Sequence, residues 1–322
     1  ISDWSSMKDA RFLTELMKEN IRVRYAKNPF WAEGKKFDRG SLIITKGDNK
    51  NHKNFVETLS RIAFENKTLL TPTTTGFVEK GNDFGSRYVP MITDTKIAML
   101  SGHPTNTLQF GEIWHFFEQQ LHYPITILNS EYYDEVDLTE YDVLILPNGW
   151  YGNFFDESKL QELMEFVENG GKIIGMEGAI KGINGENGFK IKEKEIKKDS
   201  LETILPYEDA EREDIKNAIT GAIFKTKVDP THPLAYGYND EYFTLKLSDD
   251  AFENLDTGTV VYLDKDTDPI SGFAGSEAMK KIENTLVFGV GEVGKGQVVY
   301  MVDNPLFRGF WENSSLSMPF LW

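Results

Sequence analysis

Asn169-Gly170-Gly171-Lys172-Ile173-Ile174-Gly175-Met176-Glu177-Gly178-Ala179 decides the fold of this chain. Ahead of it, Leu160, Leu163, Met164 and Val167 recur at helical spacing, the mark of an amphipathic helix. Asn169-Gly170-Gly171 is the chemistry of a helix C-cap, where glycine takes a left-handed turn that other residues resist. Lys172 to Met176 then runs as a compact apolar strand. Beyond it the small residues Gly175, Gly178 and Ala179 surround Glu177, the layout of a sharp strand-to-helix elbow in which backbones pass close together. Helix, glycine cap, strand and elbow make part of a βαβ unit, so the passage predicts a mainly parallel sheet with helices on both faces.

Working outward, the same rhythm recurs upstream. Lys96 to Leu100 is an apolar strand, Thr105 to Leu121 a helix carrying Phe110, Trp114, Phe117 and Leu121 on one face, and Ile125 to Leu128 a second strand. Tyr141 to Leu146 is nearly all apolar, as a strand buried on both faces must be. Downstream, residues 180 to 220 turn polar and read as an insertion with one helix, and Thr259–Leu263, Thr285–Val290 and Gln297–Val302 read as late strands joined by hairpins.

The beginning of the chain differs. Met7, Phe12, Leu13, Leu16 and Met17 mark a helix over 5–19 behind a capping serine pair, Ile21 to Tyr25 alternates like a strand, and Arg39-Gly40 leads into a strand at Ser41 to Thr45. A helix follows through Phe55, Leu59, Ile62 and Ala63, then a short strand near Leu69-Leu70. Periodicity fails between Thr71 and Thr95, where Gly76, Gly81, Asp83, Gly85, Ser86 and Pro90 make turns. A boundary near residue 93 divides a small α/β linker domain, 1–92, from a flavodoxin-like parallel-sheet domain, 93–322, with late antiparallel hairpins.

The length of 322 residues suits two domains, since domains cluster near about 100–200 residues. Hydrophobic residues at 40% and charged residues at 27% are ordinary for a globular chain with a real core. Lysine and arginine number 35 against 51 acidic residues, a net charge of −16, which repels a phosphate backbone or an anionic membrane. Nucleic acid is therefore not an expected partner. The absence of cysteine excludes disulfides, thiolate metal sites and a cysteine nucleophile. No apolar run reaches the length of a membrane span, and the start at Ile1 reads as a cut from something longer.

Four motifs carry possible chemistry. Gly289-Val290-Gly291-Glu292-Val293-Gly294 matches G-x-G-x-x-G, but a strand, Gln297 to Val302, follows where a dinucleotide fold needs a helix. A glycine-rich hairpin is expected and no cofactor. His115 and Glu118 have H-x-x-E spacing, with His232 far downstream, but the pair sits in an amphipathic helix with no second ligand cluster, so no metal is assigned to this chain.

Glu177 occupies the elbow position where amidotransferases place cysteine and hydrolases serine. It can act as a general base or a sugar-directed group if paired with another carboxylate or a histidine, with His103 at the end of the first sheet strand and His232 in Thr231-His232-Pro233-Leu234 as candidate neighbours. Alternatively its carboxylate simply bonds loop backbone. Last, Phe307, Arg308, Phe310 and Trp311 gather aromatics around an arginine, a patch suited either to a peptide or glycan or to sealing a core edge.

Several of these stretches are similar to one family. Arg39-Gly40-Ser41-Leu42-Ile43-Ile44, the turn Gly81 to Ser86, Gly111 to Glu118, Thr231 to Leu234 and Asn304 to Trp311 together resemble the C-terminal region of bacterial, Bacteroidetes-type zinc carboxypeptidase-like proteins. Gly170-Gly171-Lys172-Ile173-Ile174-Gly175 also looks like trehalose-utilisation-type members of the class I glutamine amidotransferase superfamily, which lack the cysteine. The resemblance implies an amidotransferase-like domain over 93–322, an upstream peptidase domain of the same polypeptide as partner, and an exported location. It places zinc only in that missing peptidase domain, and none of the zinc ligands carries over to these residues.

Three functions follow as expectations. The first is a non-catalytic accessory module of the parent metallocarboxypeptidase, binding substrate or serving structure. The second is a cysteine-less enzyme using Glu177 as base on a small polar or sugar substrate. The third is a purely structural or dimerising module, which would need a large apolar interface patch.

Overall fold

Val143-Leu144-Ile145-Leu146 is buried at every position, and alternate residues serve opposite cores. Val143 and Ile145 join one apolar cluster, Leu144 and Leu146 the other. This strand is the middle of the parallel sheet in the computed structural model of the protein, which describes residues 1–194, 207–238 and 240–309.

The chain opens with α1 (Met7–Lys18), entered through a capping box in which Asp9 accepts from the Ser6 amide at 2.9 Å. Strand β1 (Arg24–Tyr25) follows, then β2 (Phe30–Ala32), β3 (Lys35–Phe37), β4 (Leu42–Ile43) and α2 (Phe55–Glu65). β1 pairs antiparallel with β4, so the two strands expected here are present but shorter. The β2–β3 hairpin turns at Glu33-Gly34, both with positive φ of 52° and 70°, as a two-residue hairpin loop requires. Sequence periodicity does not reveal it, because each strand is three residues long. The strand expected near Leu69-Leu70 is absent. Leu69 is 89% exposed, and the segment instead runs beside the chain start, with the Thr71 amide donating to Ile1 O at 2.8 Å.

The main sheet takes up β5 (Ile97–Ser101), β6 (Thr126–Asn129), β7 (Val143–Leu146), β8 (Lys172–Met176), β9 (Ile219–Val228), β10 (Glu241–Lys246), β11 (Thr259–Leu263), β12 (Pro269–Ala274), β13 (Thr285–Val293) and β14 (Gly296–Met301). The order is β10-β9-β11-β13-β14-β8-β7-β5-β6, with β12 also on β9. From β14 to β6 all pairs are parallel; the others are antiparallel. In chain order the parallel strands lie second, first, third, fourth, fifth, the flavodoxin-like arrangement. The expected fold class is thus observed: α/β, with a small α/β N-terminal part, a flavodoxin-like parallel sheet and late antiparallel strands.

The late strands do more than form hairpins. β14 pairs antiparallel with β13 and parallel with β8, joining the two halves of the sheet. The G-x-G-x-x-G match lies in this β13–β14 hairpin, with Gly294 at φ 57° in the turn. A Cβ on Gly296 would stand 2.1 Å from Gly171 O, so the hairpin presses on the glycine cap Asn169-Gly170-Gly171.

Helices α3 (Thr107–His115), α4 (Glu157–Glu168), α5 (Ala179–Gly182), α6 (Tyr207–Asn217) and α7 (Ser276–Ile282) complete the fold. α4 ends in the expected glycine cap, with Gly171 N donating to Phe166 O at 2.9 Å and Gly170 N to Val167 O at 2.9 Å, a Schellman motif. α3 continues into a π-helical turn, Phe116–Leu121, and its buried stripe differs from the expected one. Ile113, Phe116, Phe117 and Leu121 are buried, whereas Trp114, expected on that face, is 40% exposed.

The apolar cluster under one face of the sheet runs across residue 93. Phe12, Leu13 and Leu16 of α1 share it with Phe116, Phe117, Met99 and Ile174, and Thr14 Oγ1 donates to Leu121 O at 2.5 Å.

Candidate functional site

The elbow after β8 is built as its small residues require. The Glu177 amide donates to Met301 O at 2.8 Å, and Glu177 itself is left-handed, with φ 48°. Such a conformation costs a non-glycine residue roughly 1–2 kcal/mol, so the surrounding contacts must impose it. They do so from both sides. A Cβ on Gly178 would lie 2.6 Å from Gly149 O and 2.7 Å from Asn148 Oδ1, and one on Gly175 2.6 Å from Ile183 Cδ1. Gly178 N donates to Asn148 Oδ1 at 3.0 Å, tying the elbow to the loop after β7.

The Glu177 carboxyl makes no bond among the described residues. Its Oε2 is buried without a hydrogen-bond partner among the described residues, so the reading in which it bonds loop backbone is not what the geometry shows. Burial, reinforced by the charges of Asp303, Glu112 and Asp250 and opposed by Lys246, pushes its pKa up to about 8. At neutral pH the group therefore holds its proton, making it a donor and an acid rather than a base.

The surrounding charges come from three distant elements. Asp303, just past β14, is buried and accepts from Thr244 Oγ1 at 2.6 Å and from Lys246 Nζ at 2.9 Å. Lys246 ends β10 and is fully buried. Glu112 on α3 accepts from Asn304 Nδ2 at 2.8 Å and from the Arg308 amide at 3.0 Å, which fastens the segment after β14 to α3.

Beside the elbow, at the C-terminal ends of β5 and β7, lies a cleft of about 520 Å³ lined by Pro104, Asn106, Asn148, Trp150, Gly178 and Lys181, among others. β5 and β7 flank the point where strand order reverses, where ligands of open α/β sheets bind. The two loops forming its floor are laced by backbone bonds, Asn106 N to Asn148 O at 2.8 Å and Trp150 N to Pro104 O at 3.2 Å.

Neither candidate histidine bonds Glu177. His103 is exposed in the turn after β5. His232 caps the short turn Pro233–Ala235, its Nδ1 accepting from Leu234 N at 3.2 Å; burial lowers its pKa, against the pull of Asp229. Neither is among the groups whose charge acts on Glu177. His115 is exposed and Glu118 half-buried, and among the described residues no three histidine, aspartate or glutamate side chains gather to hold a metal. No helix among them is long and apolar enough to cross a membrane.

Of the aromatic patch, the Arg308 guanidinium lies over the Phe307 ring at 5.0 Å, while Phe310 and Trp311 lie outside the described residues. Sequence reasoning missed Glu112, Asn148, Lys246 and Asp303. Their one shared signal is that each polar residue stands at or beside an apolar element, Asn148 right after Val143 to Leu146 and Asp303 right after Gln297 to Val302.

No protein-family model matches the chain, and no curated protein matches it. Among solved structures, the chain is similar to a ThuA-like protein from Parabacteroides merdae, at 11% identity over 70% of this chain and 88% of that one, with a TM-score of 0.44. It is similar to a glutamine amidotransferase from Thermotoga maritima at 12% identity, covering 66% of this chain and 76% of that one, with a TM-score of 0.39. A β-galactosidase from Bacillus circulans is similar at 13% identity over 65% of this chain, with a TM-score of 0.38, and the chain spans only 28% of its length.

Proposed function

We propose that this chain is a non-catalytic, ligand-binding accessory module built on an amidotransferase-like sheet and belonging to a longer, exported zinc carboxypeptidase-like protein. One observation carries the non-catalytic part. The elbow residue Glu177 has a carboxyl oxygen buried without a partner among the described residues, and no histidine bonds it. Nucleophilic catalysis at an elbow needs a nucleophile, a base within hydrogen-bond reach and a third group orienting that base. Here the nucleophile is replaced by an acid that keeps its proton, and among the described residues no histidine stands within hydrogen-bond reach as its base. The cleft beside the elbow remains, which supports binding as the retained role. On this reading zinc and hydrolysis belong to the peptidase domain outside this sequence.

The test is turnover. The purified chain is incubated with glutamine, chromogenic esters, peptides and nitrophenyl glycosides. The expected rate equals the buffer blank and is the same for Glu177→Gln. A rate above the blank that Glu177→Gln abolishes overturns the proposal.

A second reading is favoured by the pKa of about 8 at Glu177. A carboxylic acid held neutral at pH 7 is the form a general acid takes, so an enzyme here would donate a proton through Glu177 rather than abstract one. Its activity would fall as pH rises through about 8, and a pH-independent residual rate would exclude it.

A further inference from the structure

We propose that the cleft between the loops after β5 and β7 is a subsite for a neutral saccharide, one pyranose ring stacking on Trp150 with its hydroxyls on the carboxamides of Asn106 and Asn148. The inference rests on the reading of the chain as a binding module and names the ligand class.

Trp150 is 73% exposed, although its neighbour Tyr151 is fully buried. The loop carrying the indole is anchored at both ends: Tyr151 Oη donates to Pro147 O at 2.9 Å, and Trp150 N donates to Pro104 O at 3.2 Å. An aromatic face left in water on a fixed backbone is a platform whose ordering cost is already met on folding. The apolar C–H face of a pyranose matches such a platform, while its rim of hydroxyls needs donors and acceptors of neutral type.

The cleft supplies these. Asn106 Oδ1 already accepts from Leu108 N at 2.9 Å and Asn148 Oδ1 from Gly178 N at 3.0 Å. Each oxygen bond fixes its amide, and both Nδ2 groups are without a partner among the described residues, available to donate to hydroxyl oxygens.

Charge argues against other small ligands. Lys181 is the charged residue of the lining, and its Nζ is engaged by Asp250 at 2.7 Å. A phosphate or carboxylate would find no unpaired cation there, within a chain of net charge −16. The lining holds no carboxylate to attract a cationic ligand. The volume of about 520 Å³ lies within the roughly 300–1,000 Å³ of small-molecule sites.

The experiment is a titration of the full chain, followed by tryptophan emission and calorimetry, with glucose, galactose, mannose, N-acetylglucosamine, maltose and cellobiose. At least one is expected to bind saturably. Trp150→Ala should weaken that binding about tenfold or more, Trp150→Phe should recover part of it, and Trp114→Ala should leave it unchanged. Because Trp150 is exposed, its variants should melt like the parent. Absence of a saturable response to every sugar, or binding indifferent to Trp150→Ala, overturns the inference. Saturable binding of glutamine or a dipeptide but of no sugar also overturns it, while leaving the accessory-module reading intact. Turnover of a bound sugar would support the subsite and overturn that reading instead.

Discussion

Asn148 Oδ1 accepts the backbone amide of Gly178 at 3.0 Å, and this bond couples the elbow after β8 to the loop that shapes the cleft. Asn148→Ala removes the acceptor and leaves an amide in a crowded, half-buried place. The expected cost is about 1–3 kcal/mol, the penalty of an unsatisfied donor. Asn148→Asp keeps an oxygen there and should recover most of the loss. Urea denaturation with an unchanged m-value checks this, because only then is the midpoint shift a stability change.

Glu177 makes stability depend on pH in a defined direction. Its pKa rises from an ordinary 4.5 to about 8 on folding, so between those values the folded chain keeps a proton that the unfolded chain releases. Stability then falls as pH rises through this window, is fully present below 4.5 and levels off above 8. A tenfold change in proton affinity corresponds to about 1.4 kcal/mol, so the fall amounts to a few kcal/mol. In Glu177→Gln the slope from this group should vanish. Profiles of stability against pH that stay parallel for the two proteins throughout would refute the assignment.

That Glu177 sits at a close-packed elbow was legible, and the charges around it were not. Gly175, Gly178 and Ala179 mark a close-packed elbow in any sequence, since only small residues fit where a Cβ would touch Gly149 O. The carboxylates that add to burial in raising its pKa, Asp303, Glu112 and Asp250, come from beyond β14, from α3 and from beyond β10, brought together only by the fold. The parallel strands were likewise legible as apolar runs. β9 and β10 were not: β9 turns Lys225 and Lys227 outward, and the buried face of β10 is Tyr242, Thr244 and Lys246, polar by type, with Lys246 paired to Asp303. The π-turn after α3 has no marker in Phe116 to Leu121, and Trp114 lies outside the stripe expected to hold it.

Gly178 tests the elbow's geometry directly. A Cβ there meets a backbone carbonyl at 2.6 Å, a contact that flexible side chains cannot relieve. Gly178→Ala should cost about 1–3 kcal/mol, as overpacking does. Gly85 has open space around its Cα, so Gly85→Ala should stay within about 0.5 kcal/mol of the parent. Thermal melts of both variants compare the two sites, and equal effects would mean that the elbow yields.

The Lys246–Asp303 pair, at 2.9 Å and almost wholly buried, sets the last expectation. Lys246→Met strands a buried carboxylate whose remaining charge-free partner is Thr244, and breaking such a pair costs about 3–5 kcal/mol. Asp303→Asn strands the ammonium in turn, yet it also removes the largest charge raising the Glu177 pKa. The two variants should therefore differ in pH response. Lys246→Met, which deletes the opposing positive charge, should move the Glu177-dependent fall in stability to higher pH, and Asp303→Asn should move it lower. The double replacement Lys246→Met with Asp303→Leu should recover much of the single losses, since matched apolar pairs often equal a buried ion pair. Urea midpoints across pH for the three variants measure both effects; shifts in the same direction for both single variants would show that Glu177 does not feel this pair.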